Sequence, residues 1–227
     1  MNISPVLISI RTSIVSICIT FVLGLMVAKA VAAIRRPWIK GLLDGLCTLP
    51  MVLPPTVAGF FLLYLFGVKR PIGQFLLDYF GVKIAFSWEA TVLAAFVLSF
   101  PLMYRSARGA LQQVDSSLLD AARTLGRSEM WVFFRVELPL ALPGVMSGAV
   151  LAFARGLGEF GATAMIAGNI QGRTRTLPLA IYSAVAGGDL ESAQDYVLIL
   201  LGVSLLVVLG MGSLSGNRRS LRRRGEG

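Results

Sequence analysis

Two oppositely charged residues, Arg155 and Glu159, stand within the largely apolar stretch 152–163. Because they are four residues apart, they share one face of a helix and can form an ion pair. Charges at membrane depth normally face the interior of a helix bundle or a polar cavity. The pattern therefore predicts a role in a gate or translocation path, with a purely structural ion pair as the alternative. Thr163, at the end of the stretch, belongs to the same candidate set.

Three prolines, Pro50, Pro54 and Pro55, fall within one apolar stretch, 45–68. Each proline lacks the N–H donor of a helical residue and leaves a carbonyl without its partner. Non-helical backbone at membrane depth is tolerated only where it is buried in protein or lines a cavity. We therefore predict a kinked helix that lines a path, and a kink that merely packs is the alternative.

The residue types offer little for catalysis. The chain has no histidine, which removes imidazole acid–base chemistry and most histidine metal sites. Cys18 and Cys47 lie in apolar stretches without metal-ligand spacing, so they are interpreted as small apolar fillers. None of the four lysines follows a glycine, which excludes a phosphate-binding Gly-Lys-Ser/Thr loop. The sequence predicts no catalytic residue, cofactor or metal site, although a membrane enzyme built on a spatial cluster stays open.

These residues are carried by an unusually apolar chain. Of its 227 residues, 56% are hydrophobic and 15% are charged, and the mean hydropathy is +0.75. Soluble domains carry about 25% charged residues. The net charge of +9 does not indicate nucleic acid, because the basic residues cluster in blocks between apolar stretches, as they do beside membrane lipid. We predict a single membrane domain, residues 1–227.

Five stretches are long enough to cross a bilayer, which needs about 20 helical residues. The predicted fold is therefore an all-α, polytopic membrane helix bundle with five transmembrane helices. The spans are predicted at about 10–33, 45–68, 85–105, 138–167 and 195–216. A sixth uncharged stretch, 176–188, is short and interrupted by Pro178 and two glycines, so it predicts an interfacial or re-entrant helix.

The distribution of basic residues predicts the orientation. Fourteen lysines and arginines lie in the loops 29–41 and 105–137 and in the C-terminal tail, against five in the loops 69–87 and 169–193. Cytoplasmic loops carry the excess, so the N-terminus is predicted outside and the C-terminus in the cytoplasm. Residues 12–30 resemble a signal peptide, but more positive charge follows the apolar run than precedes it, which favours an uncleaved anchor.

The cytoplasmic loop 105–137 has the pattern of two short helices. Ser117 and Asp120 form a Ser-x-x-Asp helix start, and Gly126 ends the helix that follows. A second helix is predicted to begin at Ser128 and to carry Trp131 and two phenylalanines. Exposed apolar residues on such an element predict docking into the groove of a partner protein.

The spacing of this loop resembles a known motif. Asp120-Ala121-Ala122, three residues, Gly126, nine residues, Val136, one residue and Leu138-Pro139 are similar to the EAA motif of ABC-importer permeases, Glu-Ala-Ala-x3-Gly-x9-Ile-x-Leu-Pro. The chain departs from it conservatively, with Asp at 120 and Val at 136. In that family the segment is the coupling helix that docks on the ATP-binding subunit, which implies an ATPase-coupling role for these seven residues.

Together with 45–68 and 152–163, the motif makes residues 10–210 resemble the molybdate permeases of type I ABC importers. The resemblance implies a homodimer in the bacterial inner membrane, two copies of an ATP-binding subunit and an external oxyanion-binding protein. Sulfate or thiosulfate permeases share a related Gly-Glu-Phe-Gly stretch, so those oxyanions and tungstate remain alternatives. A secondary transporter or channel, the rival class, would leave the loop motif unexplained.

Overall fold

The computed structural model describes the backbone of residues 2–224 and the side chains of residues 2–207, 209 and 210. This part of the chain contains helices and no strand. The helices are α1 (Ser4–Ala32), α2 (Pro37–Val52), α3 (Pro55–Phe66), α4 (Pro71–Phe80), α5 (Trp88–Gln112), α6 (Ser116–Thr124), α7 (Glu129–Val132), α8 (Leu138–Leu157), α9 (Gly161–Ile166), α10 (Leu177–Ala186) and α11 (Leu190–Arg224). A π-helical turn, Phe133–Glu137, joins α7 to α8.

Among the described residues, four helices are long and apolar enough to cross a membrane, and one bent pair of helices makes a fifth crossing if it is counted as one span. The four are α1, α5, the continuous helix Glu129–Leu157 and α11 as far as Val207, and the bent pair is α2 with α3. The all-α membrane bundle predicted from the sequence is therefore confirmed. Helix α1 begins at Ser4 rather than near 10, α5 runs to Gln112 rather than ending near 105, and α11 begins at Leu190 rather than near 195.

Helix α1 shows the inverse of a soluble amphipathic helix. It buries small and polar residues against the bundle and exposes its large aliphatic ones, as expected where lipid is the solvent. The buried hydroxyl residues are Ser9, Thr12, Ser13, Ser16 and Thr20, and the exposed aliphatic residues include Leu7, Ile14, Val22, Leu23 and Met26.

The core lies between α1, α5 and α8. Met103, Tyr104 and Val145 are fully buried there among alanines of all three helices. Hydroxyl pairs join α1 to α5 within this contact, with Thr12 to Thr91 at 2.8 Å and Thr20 to Ser99 at 3.2 Å. Such interhelical hydrogen bonds add to van der Waals packing where no hydrophobic effect drives helices together.

The second predicted span, 45–68, is two helices rather than one kinked helix. Helix α2 ends at Val52, α3 begins at Pro55, and the two axes meet at 112°. Pro54 and Pro55 remove two consecutive donors, and a residue before proline is pushed into extended backbone. Leu53 accordingly has a ψ of 140°.

The prediction of a continuous fourth helix over 138–167 is wrong. Helix α8 ends at Leu157, and α9 begins only at Gly161. The predicted boundary at its start is also absent, because α7 runs through the π-helical turn directly into α8. The stretch 176–188 forms the short helix α10, whose Leu177 N–H donates to Ser9 Oγ of α1 at 2.7 Å.

Candidate functional site

The break between α8 and α9 is organised by the carboxylate of Glu159. One oxygen accepts a hydrogen bond from the Arg155 guanidinium at 2.7 Å, and the other accepts from the Ala162 N–H at 2.7 Å. Arg155 lies in the last turn of α8, so the two charges pair across the end of a helix rather than along one helix face. Glu159 thereby joins the C-terminal end of α8 to the N-terminal end of α9.

The two backbone breaks meet in space. A Cβ on Gly161 would lie 3.0 Å from Pro55 Cβ, and one on Gly59 would lie 2.6 Å from the Ala162 backbone. Helices α3 and α9 therefore approach as closely as glycine permits. Residues that the sequence placed in separate candidate sets, around Pro55 and around Glu159, belong to one contact region.

The other predicted path residues have different surroundings. Pro54 is exposed at the bend, and Pro50 is half-buried inside α2. Arg155 keeps 32% of its side chain exposed, whereas Glu159 and Thr163 are buried. Arg155 and Pro54 are therefore accessible, while Glu159 and Thr163 belong to the packed interior.

The segment 113–137 projects from α5 and returns through α7. Its first helix, α6, begins at Ser116 with Asp115 as its N-cap, because the Asp115 carboxylate accepts from the Ser117 N–H at 2.9 Å. The prediction that Ser117 begins the helix, with Asp120 as its partner, is wrong, because the N-cap is Asp115, two residues earlier. The same hydrogen bond lowers the pKa of Asp115.

Gly126 makes the turn between α6 and α7. Its φ is +73°, in the left-handed region that favours glycine. The Arg127 N–H bonds to the Ala122 carbonyl at 3.3 Å, and the Gly126 N–H bonds to the Arg123 carbonyl at 2.9 Å. These two bonds form a Schellman cap. Ser128 then caps α7, as the sequence predicts, by accepting from the Trp131 N–H at 3.4 Å.

Arg123 holds the two short helices together. Its guanidinium donates to Asp120 at 2.7 Å and to both oxygens of Glu129, at 2.7 and 3.1 Å. Charge-assisted, bidentate bonds of this kind fix geometry as well as adding energy. They lower the pKa of Glu129 and raise that of Arg123.

Around this polar clamp, the segment exposes an unusual number of apolar side chains. Leu125 is 79% exposed and Trp131 is 39% exposed, with Arg127 over the Trp131 ring at 4.9 Å. The full set is Leu118, Leu125, Met130, Trp131 and Phe134. Of the motif alanines, Ala122 is buried against the turn and Ala121 is exposed. A rigid, apolar surface of this kind is suited to a groove in another protein.

The last residues of the motif lie where the projecting segment continues into membrane helix α8. The Leu138 N–H bonds to the Phe133 carbonyl, five residues earlier, which defines the π-helical turn. Pro139 cannot donate to the carbonyl four residues before it, so the ordinary helical ladder is interrupted here. Val136 is half-buried, and its neighbour Glu137 is buried and paired with Lys29 of α1.

A polar cleft between α2 and α5 was not predicted from the sequence. Asp44 of α2 pairs with Arg108 and accepts from the Tyr104 hydroxyl, and Arg108 donates to that hydroxyl at 3.1 Å. The cleft has a volume of about 440 Å³ and is also lined by Thr48, Arg105 and Gln112. The i,i+4 spacing of Tyr104 and Arg108 was the available signal, but nothing local connects Asp44 to them. Within the described residues, no group of three or more acidic or cysteine side chains could hold a metal ion.

The fold and the projecting helical segment together define a membrane subunit of a transport system. The family model for the "binding-protein-dependent transport system inner membrane component" matches residues 5–223, and the chain belongs to this family. The chain is 44% identical over 217 residues to the molybdenum transport system permease protein ModB of Escherichia coli K12, covering 94% of each.

Two further comparisons extend this result. The sulfate transport system permease protein CysT of Salmonella typhimurium is 35% identical over 193 residues, covering 85% of this chain and 69% of that protein. Among solved structures, an inward-facing conformation of the MetNI methionine ABC transporter superposes with a TM-score of 0.73 at 18% identity, covering 94% of each chain. That likeness concerns the fold alone. The resemblance to ABC-importer permeases drawn from the sequence is confirmed.

Proposed function

We propose that this chain is the permease subunit of an ATP-driven importer for molybdate. The observation that carries the proposal is the 113–137 segment. It combines the Asp-Ala-Ala-x3-Gly spacing, a turn fixed by Gly126 and Arg123, and a row of exposed apolar side chains. A surface of this composition is costly to leave in water, which favours a protein partner on the cytoplasmic side. The assignment of molybdate rests on the higher identity to the molybdenum permease than to the sulfate permease.

The proposed partners follow from what one chain does not supply. ATP hydrolysis is assigned to two copies of an ATP-binding subunit, which dock on the segment 113–137. The ATPase-coupling residues that give this segment its shape and charge are Asp120, Ala121, Ala122, Gly126, Val136, Leu138 and Pro139. A second copy of this chain completes a path along a two-fold axis. An external oxyanion-binding protein delivers the substrate and provides most of the specificity, because a tight site in the path would slow release.

The proposed path or gate contains the region where the two backbone breaks meet. Pro54 and Arg155 are its accessible members, and an exposed arginine attracts an oxyanion. Pro54 and Pro55 set the bend, and Pro50 lies inside α2 just before it. Glu159 holds the start of α9, and Thr163 is buried within that helix. The Glu159 carboxylate tempers the field of Arg155, which suits brief passage rather than tight binding.

Uptake into vesicles tests the proposal. Reconstituted permease, ATP-binding subunit and binding protein are expected to import labelled molybdate only when ATP is inside the vesicles. Excess tungstate and excess sulfate serve as separate competitors. Molybdate uptake without ATP would indicate a secondary transporter and contradict the proposal. Sulfate competing as well as unlabelled molybdate would move the substrate assignment to the sulfate class.

The proposed orientation places the N-terminus outside and the C-terminus in the cytoplasm. Lys83 and Gln113 are exposed in loops at opposite ends of α5. Single cysteines at these positions, in a background with Cys18 and Cys47 replaced by serine, are expected to react with an impermeant thiol reagent only from outside and only from inside, respectively. Reaction of both from the same side would overturn this topology.

A further inference from the structure

An ion pair ties the motif segment to a helix remote from it in the chain. Lys29 lies in the last turn of α1, and Glu137 is the last residue of the π-helical turn before α8. Their side chains form both a hydrogen bond and an ion pair. The Lys29 ammonium also lies 5.1 Å from the centre of the Phe133 ring, in the same turn.

The pair is buried on its acidic side. The Glu137 side chain is 8% exposed, and that of Lys29 is 35% exposed. A carboxylate so far from water is strongly destabilising when its partner is removed. Glu137 also occupies the unspecified position between Val136 and Leu138 of the motif spacing, so the motif itself does not call for an acid there.

The pair is attached where the helix is least regular. The wide turn at Phe133–Glu137 lies between a projecting segment and a membrane helix, and Pro139 interrupts the hydrogen-bond ladder just beyond it. Single π-helical turns inside α-helices occur frequently at functional sites. Movement of the segment relative to α8 would be concentrated at this turn, because the helices on either side are stiffer.

The Lys29–Glu137 pair differs from the other ion pairs among the residues that the structure describes. The pairs of Arg123 lie within the segment, whereas Asp44–Arg108 and Arg155–Glu159 lie within the membrane bundle. Of the ion pairs in the described part of the chain, only Lys29–Glu137 joins the turn at the end of the segment to a membrane helix that is not continuous with it. Helix α1 in turn packs along α5 and contacts α8 and α10.

We propose that Lys29 and Glu137 are positioning residues that transmit displacement of the 113–137 segment to α1. The proposal rests on the proposed function, since the displacement comes from the ATP-binding subunits. Without the pair, the segment still docks on its partner, but its movement is taken up at the π-helical turn and reaches α1 weakly. ATP hydrolysis then continues with less substrate moved per cycle.

The test measures coupling rather than assembly alone. Glu137→Gln keeps the shape of the side chain and removes its charge. Co-purification with the ATP-binding subunit is expected to be unchanged, while the molybdate imported per ATP hydrolysed falls by about two- to thirty-fold. Lys29→Arg is expected to retain the wild-type ratio, and Lys29→Glu combined with Glu137→Lys is expected to recover part of it. Asp189→Asn, the same type of change at an exposed helix start remote from the segment, is the matched control.

The outcomes separate three possibilities. A wild-type import-to-hydrolysis ratio in Glu137→Gln overturns the proposal. If Glu137→Gln fails to assemble, the decision passes to the double variant Lys29→Gln with Glu137→Gln, which removes both charges and leaves no buried carboxylate without its partner. Failure of both to assemble, or a swapped pair that restores assembly without restoring the ratio, assigns the pair to folding alone and also overturns it. If wild-type vesicles import no molybdate in an ATP-dependent manner, the proposed function has failed, independently of this pair.

Discussion

Two of the arginine–carboxylate contacts at 2.7 Å among the described residues have very different surroundings. Arg155 pairs with Glu159 inside the bundle, where the Glu159 side chain is 2% exposed. Arg123 pairs with Glu129 on the projecting segment, where the Glu129 side chain is 67% exposed. The distance alone therefore says little about what each pair contributes.

The difference lies in what replaces the partner when the pair is broken. An exposed carboxylate returns to water, so such pairs contribute little to stability. A buried carboxylate has no water to return to, and removing either partner leaves an uncompensated group. Glu159 also accepts a hydrogen bond from the Ala162 N–H, so its loss leaves this buried backbone donor without its acceptor. The inner pair, Arg155–Glu159, joins the end of α8 to the start of α9, whereas the outer pair, Arg123–Glu129, fixes the geometry of an exposed surface.

The largest stability effect is expected at Glu159. Glu159→Ala leaves Arg155 and the Ala162 N–H without their acceptor, and we expect the free energy of unfolding to fall by about 2–3 kcal/mol. This value is below the range for fully buried pairs because Arg155 is partly exposed. Detergent unfolding of the purified protein measures the change.

Exchanging the two charged residues separates the effect of the ion pair from that of the hydrogen bond to Ala162. Arg155→Glu combined with Glu159→Arg restores an ion pair but offers no acceptor to the Ala162 N–H. Recovery of stability should therefore be incomplete. Full recovery would show that the ion pair alone matters. Wild-type stability and uptake in Glu159→Ala would remove both the structural role and the proposed role in the path.

The second-largest effect is expected at Gly126, which makes the turn between the two helices that Arg123 and Glu129 join. Gly126→Val places a β-branched residue at a φ of +73°, with a local strain of about 1–3 kcal/mol. We expect normal membrane insertion and loss of transport, because α6 and α7 no longer present one surface. Gly126→Asn is the control, since asparagine tolerates this conformation and no other atom lies within 4 Å of the added Cβ. Equal loss of transport in both variants would implicate something other than backbone strain.

A smaller effect is expected from reversing one charge on the surface. Asp120→Lys puts a cation beside Arg123, which loses its 2.7 Å hydrogen bond to Asp120. We expect weaker co-purification with the ATP-binding subunit and partial loss of transport, with little change in stability. Asp120→Glu, the residue of the family motif, should be close to wild type. Normal assembly and transport in Asp120→Lys together with Gly126→Val would show that this segment is not the coupling element.

The smallest effect is expected from Glu129→Gln, which removes the exposed end of the outer pair. Because Arg123 lowers the pKa of Glu129, the pair stabilises the protein above the ordinary value of 4.5 and loses this contribution as the pH falls through the lowered value. The wild type and the variant should therefore differ slightly at neutral pH and converge in acid. A thermal shift comparable to that of Glu159→Ala would contradict the distinction between the two pairs.

The projecting segment was largely predictable because its geometry is local. The turn at Gly126 and the cap at Ser128 depend on residues within a few positions of each other, and both predictions are confirmed. Even here the first cap was misplaced. Ser117 begins a plausible motif, but the Asp115 carboxylate reaches the Ser117 N–H, so the helix begins earlier.

The interior of the bundle was less predictable. The sequence predicted that Arg155 and Glu159 lie on one continuous helix. In the structure, Glu159 lies beyond the end of α8, and its carboxylate accepts a hydrogen bond from the start of α9. Helix α9 packs closely on α3 at Gly59 and Gly161, and no local pattern in the sequence indicates this contact. The partners Lys29 with Glu137 and Asp44 with Arg108 are separated by 108 and 64 positions, and no local pattern relates them.

Hydropathy and short-range spacing were enough to predict a chain that lies in a membrane, the number of its apolar stretches, the projecting segment and the family resemblance. Both properties are readable along one chain. Which helices break, which charges pair and where the segment contacts the membrane bundle became known from the folded structure. A buried polar group must be satisfied by whatever lies beside it in space, and that neighbour is set by packing rather than by position in the chain.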